Sequence, residues 1–420
     1  MKRRYLYLLL PCAVAVSLGA VLGHAMLRRA PVIGAHAFVR RPPRIRPDYT
    51  DTVIPPNIAP LNFCVEEEGR RYVVKIRSEK GEGISVHSRT GEIAIPLRPW
   101  RRLLEANRGR ELLFDVYVQA PDAHWDRFDT ITNTIAREEI DGYLTYRLIN
   151  AAYNTYVGMG IYQRDLQNHD ESVILDNRSI AEGCMNCHTF LKNTPDTMVM
   201  HMRSWAEGYE SGMLLIDKGV LSKVDTRTQR SLGMAAYTSW HPSGRLVAFS
   251  MNKVRQFFHA ARAEVRDTVD MDSDLAVYLL DSQSVKSTGS IASPDLLETW
   301  PAWSADGRHL YFCSAPVLWS DRDKVPPERY NEVRYDLMRI GYDVDSGAWG
   351  EPETILSAAE TGLSISQPRV SPDGRFVLFC MSEYGTFPIH LAGTDLYLLD
   401  LKTGQHRRLA CNSDESDSWH

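Results

Sequence analysis

The chain has 420 residues, 44% hydrophobic and 24% charged, a balance that supports buried cores in two or three domains and excludes simple disorder, collagen and coiled coil. The formal net charge is -5, but nine of the 48 Lys and Arg and none of the 53 acids lie before Asp48. The remainder therefore holds 39 basic and 53 acidic side chains, a net charge of -14, which makes it a poor nucleic-acid binder.

The first 27 residues have the pattern of a signal or membrane anchor. Lys2, Arg3 and Arg4 precede an uncharged stretch, Tyr5 to Leu27, which is long enough to cross the hydrocarbon core of a bilayer. An uncleaved anchor is favoured because the Ala-x-Ala site lies well beyond the apolar run. Basic residues inside then place the rest of the chain on the periplasmic side of the cytoplasmic membrane. Residues 28–56, rich in Arg and Pro, are predicted to be a tether.

Two changes of hydrophobic period divide the next part of the chain. Residues 57–136 show a period of two, as in Tyr72–Ile76, which predicts a β-rich domain with one short helix near Trp100–Asn107. Residues 137–230 are predicted to be mainly helical, because apolar residues recur at helical spacing in Ile140–Leu148.

Cys184, Met185, Asn186, Cys187 and His188 spell CxxCH. About 0.004 chance matches are expected in a chain of this composition. In an exported chain the motif indicates covalent haem c, with the two thiols as thioether tethers and the imidazole as the proximal iron ligand. A structural zinc site needs four ligands, yet there is no second closely spaced Cys pair; a redox dithiol would need a βαβ context. Haem c is therefore the predicted cofactor, and no second metal is inferred.

The distal iron ligand is predicted to follow shortly after the motif. The segment Thr197–Arg203 is dense in thioether and imidazole groups, both of which bind haem iron. His201 and Met198 rank equally, and on a helix they would share one face. Methionine would give a higher reduction potential than a second histidine. Ordinary core packing is the competing interpretation for each residue, and Arg203 either pairs with a haem propionate or is a solvated charge.

Three C-terminal segments align on the hairpin glycines Gly244, Gly307 and Gly374, each followed by an alternating strand. The preceding residues, such as Ser371-Pro-Asp-Gly, supply a tight turn with positive φ. These segments resemble the TolB-like (PD40-type) propeller repeats of exported bacterial proteins, which implies a propeller over 231–420 that docks partner proteins. With CxxCH and the Gly158–Arg164 segment, the exported chain resembles haem c proteins that carry a TolB-like propeller.

The expected fold is mainly β: a β-rich N-terminal domain, a helical haem c segment and a propeller that is incomplete, with three blades and a stub. Ser418–His420 repeats Ser239–His241 just where the sequence stops, and three blades cannot close a ring. Truncation is the favoured explanation, and completion by the strands of 57–136 or by another chain is the alternative.

Together these features predict an exported, membrane-tethered mono-haem cytochrome c that transfers electrons, with the propeller docking a redox partner protein. The alternatives are a non-redox haem-bearing sensor, a protein- or glycan-binding scaffold, and a haem oxidoreductase with an open iron site. The sequence contains no Gly-x-Ser-x-Gly or His-Glu-x-x-His motif, so electron transfer is favoured over conversion of a substrate.

Overall fold

The structure is a computed structural model that describes residues 32–149, 158–204, 206–207, 211–226, 235–261 and 266–418. The predicted anchor, residues 1–27, lies outside these ranges. No helix among the described residues is long and apolar enough to span a membrane. The chain divides into two compact units, Met1–Thr145 with Gln163–Ser172, and Tyr146–Tyr162 with Val173–His420.

The first unit is mainly β, as predicted. Its largest sheet has the strand order β1-β9-β8-β10-β3, with β5 pairing to both β8 and β6, and a small sheet has the order β2-β4-β7. The predicted short helix is confirmed as α1, Leu97–Ala106. The strands are β1 (His36–Val39), β2 (Ile45–Arg46), β3 (Val53–Ile54), β4 (Phe63–Val65), β5 (Arg71–Arg77), β6 (Ile84–Ser88), β7 (Glu92–Ile93), β8 (Glu111–Gln119), β9 (Trp125–Phe128) and β10 (Ile131–Ile135).

Alternating side chains form the core of this unit. In β10 the residues at positions one, three and five are buried and the other two exposed, as expected for a strand with one face against a core. Trp100 and Leu104 of α1 are fully buried in the same hydrophobic cluster. Residues 36–54 are not a free tether, because β1 pairs with β9 and β3 pairs with β10.

The prediction that residues 137–230 are mainly helical is wrong. The described elements between residues 143 and 224 are seven strands and two short 3-10 turns, Asn177–Ile180 and Leu191–Asn193. The Met198–Arg203 segment carries Met at every second position. This period of two is typical of a strand. The strands are β11 (Tyr143–Leu148), β12 (Gly160–Asp165), β13 (Glu171–Asp176), β14 (Cys184–Phe190), β15 (Met198–Arg203), β16 (Gly212–Asp217) and β17 (Val220–Val224).

The second unit has the strand arrangement of a β-propeller. Four sheets follow one another along the described chain, each with four antiparallel strands in chain order, and the first strands of successive sheets pack together. The three predicted repeats are the second, third and fourth sheets; the first, β14–β17, contains the CxxCH motif. The later strands are β18 (Ala235–Trp240), β19 (Leu246–Phe258), β20 (Arg266–Leu279), β21 (Ser284–Lys286), β22 (Leu296–Trp303), β23 (His309–Pro316), β24 (Asp336–Asp343), β25 (Ala348–Leu356), β26 (Ser364–Val370), β27 (Phe376–Ser382), β28 (Asp395–Asp400) and β29 (His406–Arg408).

Other short elements join these strands. The three-stranded sheet β11-β12-β13 precedes the four-stranded ones in the chain. The predicted hairpin turns are confirmed, since Gly244, Gly307 and Gly374 have φ of 73°, 73° and 69°, which glycine adopts without a steric penalty. The remaining helical segments are α2 (Ala358–Thr361) and the 3-10 turns Tyr330–Glu332 and Pro388–His390.

Candidate haem-attachment site

The CxxCH motif lies on β14, the first strand of the first propeller sheet. It pairs antiparallel with β15, so that Cys184 lies opposite Arg203, Asn186 opposite His201 and His188 opposite Met200. The register shifts between Asn186 and His188, which leaves Cys187 as the extra residue of a β-bulge with φ of 35°. A bulge redirects a side chain away from the regular alternation of a strand. Cys184 therefore follows the regular alternation of β14, and Cys187 does not.

The same bulge recurs in the first strand of the other three sheets. Tyr237, Trp300 and Gln367 have φ of 51°, 56° and 55°, and each lies within a register shift. Each is seven positions before a hairpin glycine, at residues 244, 307 and 374. Cys187 therefore occupies a position that every one of the four sheets repeats.

Neither motif cysteine forms a disulfide. Cys184 is buried and Cys187 partly buried, and burial raises the pKa of both thiols. Arg203 and Arg147 oppose this rise at Cys184, while Arg147, the backbone N–H of Tyr237, Arg203 and Arg369 oppose it at Cys187. Both side chains are therefore protonated thiols at neutral pH, and two guanidinium groups act on Cys184 and three on Cys187.

The surroundings of Cys184 are apolar and rich in sulfur. Its hydrophobic cluster contains residues of β12, of the segment just before it, of the Asn177–Ile180 turn, of β14 and of β15, with Met as the main residue type. The backbone N–H of Met185 contacts the sulfur of Met159 at 3.2 Å. Methionine fills irregular apolar space and is polarizable. The cluster consists of Met159, Ile161, Ile180, Cys184, Met185, Met200 and Met202, with Met198 and Leu214 partly buried beside it.

His188, the predicted proximal ligand, is half-buried. Its ring lies 6.1 Å from that of Phe190, edge to face. Its cross-strand neighbour is Met200, which belongs to the methionine-rich cluster.

The two candidate distal ligands lie on opposite faces of β15, because side chains alternate along a strand. Met198 is half-buried on the face of Met200, beside the methionine-rich cluster. His201 shares its face with Val199, which packs in a different cluster. The register therefore groups Met198, and not His201, with the cross-strand neighbour of His188.

His201 is nevertheless the most unusual polar side chain near the motif. It is 0% exposed, and neither ring nitrogen has a hydrogen-bond partner among the described residues. Burial, with a smaller contribution from the Arg203 charge, lowers its pKa to about 3, so the imidazole is neutral. Buried polar groups almost always have partners, and a neutral, unpartnered imidazole has the chemistry of a metal ligand.

The residues present fit haem c in kind. Two thiols outside any disulfide, a half-buried imidazole, an orphaned neutral imidazole and thioether sulfurs are brought onto two paired strands, and these are the groups that haem iron and its vinyl groups react with or bind. No cluster of three or more His, Cys, Asp or Glu that could hold a metal ion occurs in the part of the chain that the structure describes.

Sequence reasoning missed three neighbours of the cysteines. Tyr237 comes from the second sheet, Arg369 from the fourth, and Arg147 from β11, where it donates to the backbone oxygen of Met185 at 3.4 Å. The repeated spacing to the hairpin glycine would have identified position 237 as the equivalent of Cys187 only if the first sheet had been recognised as a blade.

No family model and no curated protein matches this chain. Among solved structures, a luciferin-regenerating enzyme is 10% identical with a TM-score of 0.35, covering 59% of this chain and 66% of that one. Dipeptidyl peptidase 4 of Porphyromonas gingivalis is 11% identical with a TM-score of 0.31, covering 63% and 38%. The β-propeller domain of the Trilobed protease from Pyrococcus furiosus is 12% identical with a TM-score of 0.33, covering 84% and 97%. The chain spans less than two thirds of the first two proteins, and likeness at these TM-scores carries no argument, so the fold assignment rests on strand order.

Proposed function

We propose that this protein is an exported, membrane-tethered mono-haem cytochrome c that transfers electrons, with a TolB-like propeller as the docking platform for a redox partner. The observation that carries the proposal is the state of His201. This residue lies on the strand that pairs with the CxxCH strand, and its neutral imidazole is fully buried with no hydrogen-bond partner among the described residues. An imidazole in that state is costly to bury unless a group outside the chain satisfies it. The N-terminal anchor would place the site on the periplasmic side of the cytoplasmic membrane.

The chain's own residues supply attachment, orientation and charge. Cys184 and Cys187 would hold the group through thioethers, and His188 would bind iron on the proximal side. When bound, haem c supplies an iron that alternates between the ferrous and ferric states. The guanidinium groups of Arg147 and Arg203 act on both cysteines, and positive charge there favours the more reduced state of the site. Burial of Cys184 in the methionine-rich cluster excludes water from the attachment side.

The first test is the visible spectrum of the full-length chain, expressed with the cytochrome c maturation machinery. We expect haem that remains bound through acid-acetone extraction in the wild type and a loss of covalent attachment in Cys184→Ala with Cys187→Ala. The matched control is Cys313→Ala, which removes a fully buried thiol elsewhere in the propeller and should leave attachment unchanged. His188→Ala should retain thioethers but change the spectrum. Wild-type protein without covalent haem would refute the proposal.

Carbon monoxide distinguishes the distal ligands and the alternative functions. A six-coordinate iron, which the electron-transfer proposal predicts, resists carbon monoxide, whereas ready binding would favour the sensor or an oxidoreductase with an open site. The orphaned nitrogens favour His201 and the strand face favours Met198, so His201→Ala and Met198→Ala are compared. The variant that opens the reduced iron to carbon monoxide identifies the ligand. If neither does, both assignments are wrong.

A further inference from the structure

The repeated bulge directs one side chain from each propeller sheet, and the four side chains differ in type. Because all four sheets contain it, the bulge itself is a property of the blade and carries no functional information. The identity of its residue does: Cys187, Tyr237, Trp300 and Gln367 follow one another in successive sheets. A non-glycine residue with positive φ strains the backbone, so bulky aromatic residues are a poor choice there on backbone grounds alone.

Tyr237 is the bulge residue that lies directly beside the motif. Its backbone N–H donates to the sulfur of Cys187. Its ring stacks on that of Trp300, with centroids 3.5 Å apart and planes 26° apart. The indole N–H of Trp300 in turn donates to the hydroxyl of Thr386, which fixes the ring that supports the tyrosine.

The two stacked rings differ in exposure. Trp300 is only 6% exposed within the hydrophobic cluster of the third and fourth sheets, whereas Tyr237 packs on that cluster while half-buried. One face of the Tyr237 ring is therefore covered by the indole of Trp300, and the half-buried ring keeps some accessible surface. Arg147 and Arg203 act electrostatically on both Tyr237 and Cys187, which places the same groups around both residues.

We propose that Tyr237, backed by Trp300, is the aromatic wall of the haem pocket, packing its accessible face against the porphyrin tethered at Cys187. This inference rests on the proposed function. Porphyrin is a large flat aromatic system, and an aromatic side chain held in place by a second ring offers a large contact area at little cost in conformational entropy. Gln367, at the equivalent position, instead accepts a hydrogen bond from the thiol of Cys380.

The experiment measures circular dichroism in the Soret band, which arises from coupling of porphyrin with nearby aromatic rings. Tyr237→Leu should lose most of the Soret signal, whereas Tyr237→Phe should keep it because the ring remains. Trp300→Leu removes the support and should weaken the signal less. The matched control is Tyr397→Leu, a partly buried tyrosine on β28 of the fourth sheet, which should change nothing.

A second measurement needs no destabilising variant. In reduced protein with labelled tyrosine, ring protons of Tyr237, assigned by their loss in Tyr237→Phe, should show a porphyrin ring-current shift. An unshifted resonance, or an unchanged Soret signal in folded Tyr237→Leu, would overturn the inference.

Extractable haem is measured in every variant to separate the two proposals. If haem is covalently bound but the Soret signal does not depend on Tyr237, only the inference about the aromatic wall is overturned. Wild-type protein without covalent haem overturns the proposed function, and the wall falls with it.

Discussion

Two carboxyl groups are buried inside the propeller with incomplete hydrogen bonding. Glu298 is 2% exposed; one oxygen accepts from the backbone N–H of Ser293 at 3.1 Å, and the other has no partner among the described residues. Burial raises its pKa to about 8, and the Ser293 N–H opposes the rise. Burial also raises the pKa of Asp270 to about 7, against opposing contributions from Asn252 and Arg203. Both groups are therefore protonated in the folded protein at mildly acidic pH.

Glu298 makes the stability of the folded chain fall as pH rises. Between its ordinary pKa of 4.5 and the folded value of about 8, the folded state holds a proton that the unfolded state releases. The free energy of unfolding therefore decreases with pH across this window, by at most about 1.4 kcal/mol per pH unit.

Glu298→Gln should flatten this decrease, measured as the melting temperature from pH 5 to pH 8.5. Glu351→Gln is the control, because Glu351 is exposed on β25 and should leave the pH dependence unchanged. If Glu298→Gln follows the wild-type curve, the carboxyl group does not titrate as described.

At the scale of the secondary-structure element, equivalent hairpin turns have different surroundings. A Cβ added at Gly307 would lie 2.5 Å from the Nε2 atom of His241, which also lies 2.9 Å from the Gly307 oxygen. A Cβ at Gly374 would meet nothing within 4 Å. The turn of the third sheet thus packs against the second sheet, while the turn of the fourth faces open space.

Gly307→Ala should therefore destabilise the propeller more than Gly374→Ala. Both substitutions place a Cβ on a left-handed backbone, which costs about 1–2 kcal/mol. Gly307→Ala must also displace His241, and overpacking of this kind costs about 1–3 kcal/mol more. Urea unfolding midpoints measure the difference. Equal midpoints would show that His241 moves aside with no loss in the free energy of unfolding.

At the scale of the whole molecule, net charge and local charge have opposite signs. The chain beyond Pro47 carries -14, whereas three guanidinium groups, those of Arg147, Arg203 and Arg369, act on Cys187. Long-range steering follows the summed charge and weakens as salt rises. The partner expected from the net charge therefore has a basic contact surface.

Small oxidants can separate these two influences in haem-loaded protein. If the net charge dominates, oxidation by a cationic cobalt(III) complex should slow as ionic strength rises, and oxidation by ferricyanide should accelerate. Stopped-flow rates at matched driving force are the measurement. The reversed pattern would show that the arginine residues around Cys187 control the approach of a partner.

Much of the fold followed from local patterns. The period of two in β5, the short helix α1 and the hairpin glycines at 244, 307 and 374 were each predicted correctly, because turn chemistry and side-chain alternation act over a few residues. The first propeller sheet was missed, because it lacks the hairpin glycine of the other three and has Thr194 at that place, where its backbone N–H donates to the Leu191 oxygen.

The amino-acid sequence by itself determined the CxxCH motif and its three named residues, since thioether spacing is a matter of covalent reach along one segment. Only the tertiary structure decided that this motif is a propeller strand, that Cys187 occupies the repeated bulge, and that His201 is buried without a partner. It also brought Tyr237 from the second sheet to Cys187 in the first. The physical reason is that contacts between sheets join residues far apart in the chain, and no local period records which strands will pack together.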